Sequence, residues 1–332
     1  MTETLLQLKD VSLHFPIKAI GRSGEKVRAM DDVNLTINKG EIVALVGESG
    51  SGKTTTARVV ARIHSPTSGK IYFQGEDIYT SEYKKNKVDW YRKQVQMIFQ
   101  DPFGSLNPTH KIRSILSRPF IIHKICPKSI IEEKMVEVLT EVGLEPAEQF
   151  LDKFPHELSG GQLQRINIAR AISVEPVLLL ADEPTSMLDV SIRMTIMNMI
   201  KNFRDKDQIS YLYITHNLAG ARYIADRIAV MYAGMLVEVG PTDEVIQKAR
   251  HPYTKLLRSA APQPEKGFRE EKLGSTGDIP SLIKPPNGCR FHPRCPYSKP
   301  ECSQAIPKMY QLNDNHRVRC ILYKDGKIPD FA

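Results

Sequence analysis

The stretch 42-IVALVGESGSGKTT-55 decides the fold. Ile42 to Val46 is an unbroken apolar run, the pattern of a strand buried on both faces of a parallel sheet. It leads into Gly47-x-x-x-x-Gly52-Lys53-Thr54, after which a helix from Lys53 to about Ile63 is expected. Glycines at these positions let the backbone curl until its N–H groups converge on phosphate oxygens, and the helix N-terminus adds positive potential. In such a unit Lys53 reaches the β- and γ-phosphates and Thr54 takes Mg²⁺. A chance Gly-Ser turn would not be flanked by a buried strand and a helix.

Working outward, Val95–Phe99, Val177–Ala181 and Tyr211–Ile214 read as further strands. Residues 101–175 read as mostly helical, with one helix over Ile130–Val142 and another over Gln162–Ile172 carrying Leu163, Ile166, Ala169 and Ile172 on one face. Ile192, Ile196, Ile200 and Phe203 mark the apolar face of a later helix, whose methionines read as core filling. Near the N-terminus, residues 5–15 and 33–37 suggest strands around an exposed loop, 16-PIKAIGRSGEKVRA-29. Residues 228–239 suggest a hairpin turning at Ala233-Gly234. Strands alternating with helices argue for an α/β fold with a mostly parallel sheet. Beyond Ala260 the composition shifts, and 261–288, rich in Pro, Gly and charge, reads as a linker or loosely packed strap.

The net charge of +8 favours nucleic acid, a membrane surface or phosphate-bearing ligands, and equally fits a solvated basic face. The longest apolar run, Ile228 to Val237, is too short for a membrane span of about 20 residues. The start MTETLLQLKD lacks a basic segment followed by an apolar one, so no signal peptide and a cytosolic setting are expected. Four of the five cysteines lie at or beyond residue 289; in a reducing compartment such clustering points to metal or cluster ligation rather than disulfides.

Two further segments carry chemistry. In 178-LLLADEP-184 a buried strand delivers Asp182 and Glu183 at its carboxyl end, where ligands bind in open α/β sheets. Asp182 is placed to hold Mg²⁺ and Glu183 to orient or deprotonate an attacking water. The segment 158-LSGGQ-162 precedes a helix and offers N–H groups and a dipole to an anion, though taken alone it reads as a Gly-Gly turn capped by Ser159.

With these three segments in one chain, the sequence resembles the ABC ATPase family over nearly its whole length. The resemblance implies a P-loop ABC ATPase core, a parallel sheet with an N-terminal antiparallel β subdomain and a helical subdomain, plus a small cysteine-bearing C-terminal extension. The expected divisions are 1–260 for the nucleotide-binding domain, with the helical subdomain at about 101–175, and 261–332 for the extension. ATP would be held by Gly47, Ser49, Gly50, Ser51, Gly52, Lys53, Thr54 and Thr55, with Phe15 stacking on adenine, although core packing is the alternative for that ring. Gln100 falls where the family has its Q-loop, Leu188-Asp189 its D-loop and His216 its switch histidine. The family's magnesium ligands map to Thr54, Gln100 and Asp182, and its catalytic groups to Glu183, His216 and Gln100. Two subunits would face head to tail, with Ser159, Gly160, Gly161 and Gln162 of one closing on the ATP of the other.

A narrower resemblance, to the peptide/nickel branch of ABC importers, rests on 101-DPFGSLNP-108, 251-HPYTKLL-257 and the cysteine-bearing tail. It implies a dipeptide/oligopeptide importer, with a second ABC ATPase subunit, two membrane permeases and an extracytoplasmic substrate-binding protein as partners. Such a subunit would sit at the cytoplasmic face of the membrane. Import of an oligosaccharide or a metal remains an alternative, as does a soluble ABC ATPase acting on nucleic acid or ribosomes. The single nucleotide motif and the lack of a long coiled-coil insertion argue against that last reading, and no nucleic acid is expected. A dead ATPase is disfavoured because Lys53, Asp182, Glu183 and His216 are all present. Spacing alone does not separate zinc from iron at Cys289, Cys295, Cys302 and Cys320. The branch's tail implies a [4Fe–4S] cluster there, with His292 and His316 as fallback ligands and Cys126 left out.

Overall fold

The computed structural model describes residues 3–17, 24–259, 278–326 and 329. The chain divides into two compact units, one made of residues 1–3, 38–41 and 78–214, the other of residues 4–37, 42–77 and 215–332.

In the second of these, strand Ile42–Val46 is buried at every position and pairs in parallel with Arg227–Tyr232, from Val43 opposite Arg227 to Val46 opposite Val230. The next connection is the expected hairpin. Ala233 and Gly234 both have positive φ, 45° and 86°, as a two-residue turn matched to strand twist requires, and Met235–Pro241 returns antiparallel. A separate antiparallel sheet runs in the order Lys26–Asn38, Thr4–Pro16, Ser68–Phe73, Glu76–Asp77. The exposed loop expected over 16–29 is therefore shorter than the sequence suggests. Lys26 onward is already strand: Lys26 and Arg28 are exposed, but Ala29 and Met30, which point to opposite faces, are both buried. Residues 18–23 lie outside the described residues.

The tail departs most from expectation. Of the strap at 261–288, only residues from 278 are described, and those to 288 are irregular. Beyond them the chain joins a sheet: His316–Val318 pairs antiparallel with Met235–Pro241, and Tyr310–Asn313 pairs with it in turn. Such short strands leave no periodic trace. An open edge supplied by Met235–Pro241 makes them strands.

The first-mentioned unit is built on the parallel strands Val95–Ile98, Leu178–Asp182 and Ser210–Thr215. Its helices include Ile112–Ile122, Ile131–Glu141, Gly160–Ile172 and Val190–Asp207. Gly160–Ile172 is buried on far more than the one face expected, including Gln164, Asn167 and Ile168, because it packs against Pro102–Ser105, Ile112–Ile122 and Ile131–Glu141 together. Methionine as core filling holds for Met197, whereas Met199 is half-buried and Met194 is exposed. No helix among the described residues is long and apolar enough to cross a membrane.

Candidate functional site

The loop 47–52 is shaped by positions that accept no side chain. A Cβ at Gly47 would lie 2.1 Å from the Met231 carbonyl oxygen, and one at Gly52 would lie 2.4 Å from the Ala29 carbonyl oxygen. Gly52, at φ 108°, is the N-cap of helix Lys53–Val60, which ends three residues earlier than expected. Lys53 is buried and curls back over the loop, its ammonium donating to the carbonyls of Gly47 (2.8 Å) and Glu48 (2.9 Å). The loop thus encloses a lysine cation at a helix N-terminus, which is what an incoming phosphate requires. The Ser51 hydroxyl is buried without a partner, so a polar atom in the cradle is left to a ligand or water. Ser49 and Gly50 are exposed; Thr54 and Thr55 are half-buried.

Phe15 is half-buried, its ring edge-on to His64 with centroids 5.3 Å apart. His216 is exposed just past strand Ser210–Thr215.

In the other unit, Asp182 is buried at the carboxyl end of its strand. Glu183 follows with φ 46°, a left-handed conformation that costs a non-glycine residue of order 1 kcal/mol or more and tends to collect at functional sites. The strain is maintained by the Glu183 N–H donating to the Ile214 carbonyl and by Ser186 donating to the Glu183 carbonyl. Sequence reading had no access to this conformation. The side-chain amide of exposed Gln100 donates to the Glu183 carboxylate at 3.3 Å.

Ser159 and Gln162 form a reciprocal cap on helix Gly160–Ile172: the Gln162 N–H donates to Ser159 Oγ (3.3 Å) and the Ser159 N–H donates to Gln162 Oε1 (3.0 Å). Ser159 is exposed, and a Cβ at Gly161 would press on Ile192 at 3.0 Å. The segment after Gln100 is tied to this helix. Ser105 donates to Asn167 Oδ1 (2.8 Å), and Arg170 donates to the Ser105 carbonyl (3.1 Å). Leu188 is buried and Asp189 is exposed at the start of helix Val190–Asp207.

Cys289, Cys295, Cys302 and Cys320 line one small, mostly apolar pocket together with His292. Burial pushes the Cys295 thiol up to about 11 and that of Cys320 to about 12, and raises Cys289, so burial disfavours their thiolate forms. Among the described residues no group of three or more His, Cys, Asp or Glu side chains is arranged to hold a metal ion, and the expected cluster is not shown. His316 drops out as a fallback ligand because both its ring nitrogens are engaged, with Glu238 at 2.8 Å and Glu244 at 2.9 Å. Cys126 belongs to the other unit.

The 251-HPYTKLL-257 segment acquires physical roles that the sequence did not reveal. Glu238 accepts from the His251 N–H (2.8 Å), and the Tyr253 hydroxyl accepts from the Glu48 N–H (2.8 Å) within the phosphate loop. His251 is fully buried, and burial drives its pKa down to about 3, so it is neutral, with Nδ1 accepting from the Tyr253 N–H.

Compared with known proteins, residues 30–186 match the ABC transporter family model, and residues 237–302 match the oligopeptide/dipeptide transporter C-terminal region. The oligopeptide transport ATP-binding protein AppF of Bacillus subtilis is 43% identical over 97% of this chain and 98% of its own length. The dipeptide transport ATP-binding protein DppF of Escherichia coli is 38% identical over 93% of this chain and 92% of its own. Among solved structures, the ATP-binding cassette MJ0796, a dimer in a post-hydrolysis state bound to ADP and Pi, superposes with a TM-score of 0.63 at 28% identity, covering 72% of this chain and 99% of that one.

Proposed function

The chain belongs to the ABC transporter family, and from that premise we propose that it is the ATP-hydrolysing subunit powering import of dipeptides and oligopeptides across the cell membrane. The observation that carries the ATPase reading is the phosphate cradle, a glycine-walled loop closed on Lys53 at a helix N-terminus. Similarity over nearly full length to oligopeptide and dipeptide transport ATP-binding proteins supports the peptide class.

In this reading residues 1–260 form the nucleotide-binding domain, with a helical subdomain at about 101–175, and 261–332 form the extension. Gly47 and residues 49–55 grip the ATP phosphates and Phe15 meets the base. Thr54, Gln100 and Asp182, an oxygen donor set suited to a hard divalent ion, would hold Mg²⁺, which neutralises charge on the transferring phosphoryl group. Glu183 orients the attacking water and His216 contacts the γ-phosphate. Ser159 to Gln162 close on the ATP of a second ABC ATPase subunit. Gln100, bonded to Glu183 and continuing into a segment tied to helix Gly160–Ile172, is suited to relay nucleotide state to two membrane permeases. The subunit works peripherally at the cytoplasmic face of the membrane, and a substrate-binding protein outside delivers the peptide. The test is reconstitution with permeases in vesicles. Uptake of labelled peptide that requires ATP is expected, and vesicles that turn over ATP while importing only an oligosaccharide or a metal overturn the peptide assignment.

That Cys289, Cys295, Cys302 and Cys320 would hold a [4Fe–4S] group is supported by their lining one pocket and by the four thiols such a cluster takes. When bound, the group acts as a structural staple for a segment with little core of its own. Iron, sulfide and a brown absorption band are expected in anaerobically purified protein, and Cys302→Ser should remove the colour while leaving ATP binding. A colourless protein with stoichiometric zinc excludes the assignment.

A further inference from the structure

The phosphate loop carries an acidic residue of its own, Glu48, directly after Gly47. A carboxylate there works against binding a polyphosphate, because like charges at close range repel. The structure pairs it with an arginine from the cysteine-bearing tail. Arg294 donates from Nη1 to Glu48 Oε2 (2.9 Å) and from Nη2 to Oε1 (3.1 Å), a two-pronged pair across 246 residues of sequence. The pair is largely withdrawn from solvent, with side-chain exposures of 11% for Arg294 and 27% for Glu48, so it is screened less than a surface pair. The guanidinium is held in place beforehand: it lies 5.7 Å from the ring centroid of Tyr232 and 5.8 Å from that of Phe291, and it also donates to the Tyr232 hydroxyl. Tyr232, Tyr253 and Phe291 pack as one aromatic group, and the Tyr253 hydroxyl takes the Glu48 N–H. The same tail segment reaches the far end of the loop. Arg290 donates to the Ala233 carbonyl, and the N–H of the next residue, Gly234, donates to the Ser51 carbonyl at 2.8 Å.

We propose that Arg294 is a positioning residue of the nucleotide site: it neutralises Glu48 and fixes its orientation, so that tail segment 289-CRFHPRC-295 sets the phosphate affinity of the loop. This rests on the nucleotide reading of residues 47–55. Whatever orders that segment, the cysteines at its two ends included, is transmitted to the charge on the loop through this ion pair.

The experiment titrates MgATP and adenosine into the full chain and follows each variant's melting temperature. Arg294→Ala should weaken MgATP about tenfold, the equivalent of about 1.4 kcal/mol, and leave adenosine binding unchanged. Arg294→Lys, which keeps the charge but loses the fork, should stay within about threefold of wild type. The decisive variant is Arg294→Ala combined with Glu48→Gln. With the offending charge gone, MgATP affinity should return to within about threefold of wild type. A double variant as weak as Arg294→Ala alone, or a folded Arg294→Ala variant with wild-type affinity, overturns the proposal. Wild-type protein that fails to bind MgATP at all refutes the nucleotide reading beneath it instead.

Discussion

Replacing Gly47 with alanine tests the phosphate cradle at its tightest point. The added Cβ would sit 2.1 Å from the Met231 carbonyl oxygen and 2.8 Å from Ser51 Oγ. An acceptable carbon–oxygen contact is about 3.3 Å, so the loop must move by about 1 Å. The oxygen belongs to the backbone of buried strand Arg227–Tyr232, which cannot yield as a flexible side chain would. A displacement of about 1 Å in groups that position a reacting phosphate costs about 100-fold in rate. Gly50→Ala is the matched control. Nothing lies within 4 Å of a Cβ there, and only its φ of 75° opposes a side chain, at about 1–2 kcal/mol. In the reconstituted complex Gly47→Ala should therefore lose about 100-fold in ATP turnover, and Gly50→Ala roughly tenfold or less. MgATP titration of the two purified chains should rank them in the same order. A Gly47→Ala protein at least as active as Gly50→Ala would refute the steric account of the cradle.

Further outcomes follow from the other residues. Glu183→Gln should bind MgATP, turn over at least about 100-fold more slowly and accumulate as an ATP-dependent dimer visible by light scattering; near-normal turnover removes Glu183 from the chemistry. Ser159→Arg, placed in one subunit of a mixed dimer, should damage the neighbour's site more than its own, and equal damage contradicts the head-to-tail arrangement. His316 gives a pH dependence. Burial opposes its charge, but hydrogen bonds and attraction from Glu238 and Glu244 prevail and raise its pKa. The stability it contributes is therefore complete below its unfolded value of about 6.5 and is lost as pH rises through the higher folded value. The melting temperature should fall across that window in wild type and stay flatter in His316→Gln. At pH 6 the variant should be less stable by roughly 3 kcal/mol, the low end for breaking a buried pair, because Glu244 is 39% exposed. A wild-type-like pH profile in the variant counts against the imidazolium.

Much of the candidate site was legible as local structure because each of its segments is short. The phosphate loop, the Asp182-Glu183 strand end and the Ser159–Gln162 cap each occupy a few consecutive residues, and their strands announce themselves as short apolar runs. The expected exposed loop at 16–29 was misjudged for the converse reason. Exposed charges such as Lys26 and Arg28 look like loop until their neighbours Ala29 and Met30 are known to be covered. Gly160–Ile172 was read with one apolar face, but Gln164 and Asn167 are buried as well. Polar residues on a helix signal exposure only while their neighbours are unknown.

The sequence by itself determined the fold class, the nucleotide chemistry and the order of the motifs along the chain, since each depends on side-chain periodicity or on residues close in sequence. Only the tertiary structure decided the place of the tail. Strands Tyr310–Asn313 and His316–Val318 exist because Met235–Pro241 offers them an open edge, and the His316 pKa is raised because two glutamates meet it. Glu48 sits beside a phosphate site with its charge answered by Arg294, a partner 246 residues away. A carboxylate's electrostatic effect depends on what folding brings within a few ångströms of it and on how much water is removed from between them. Neither quantity is written in residue order.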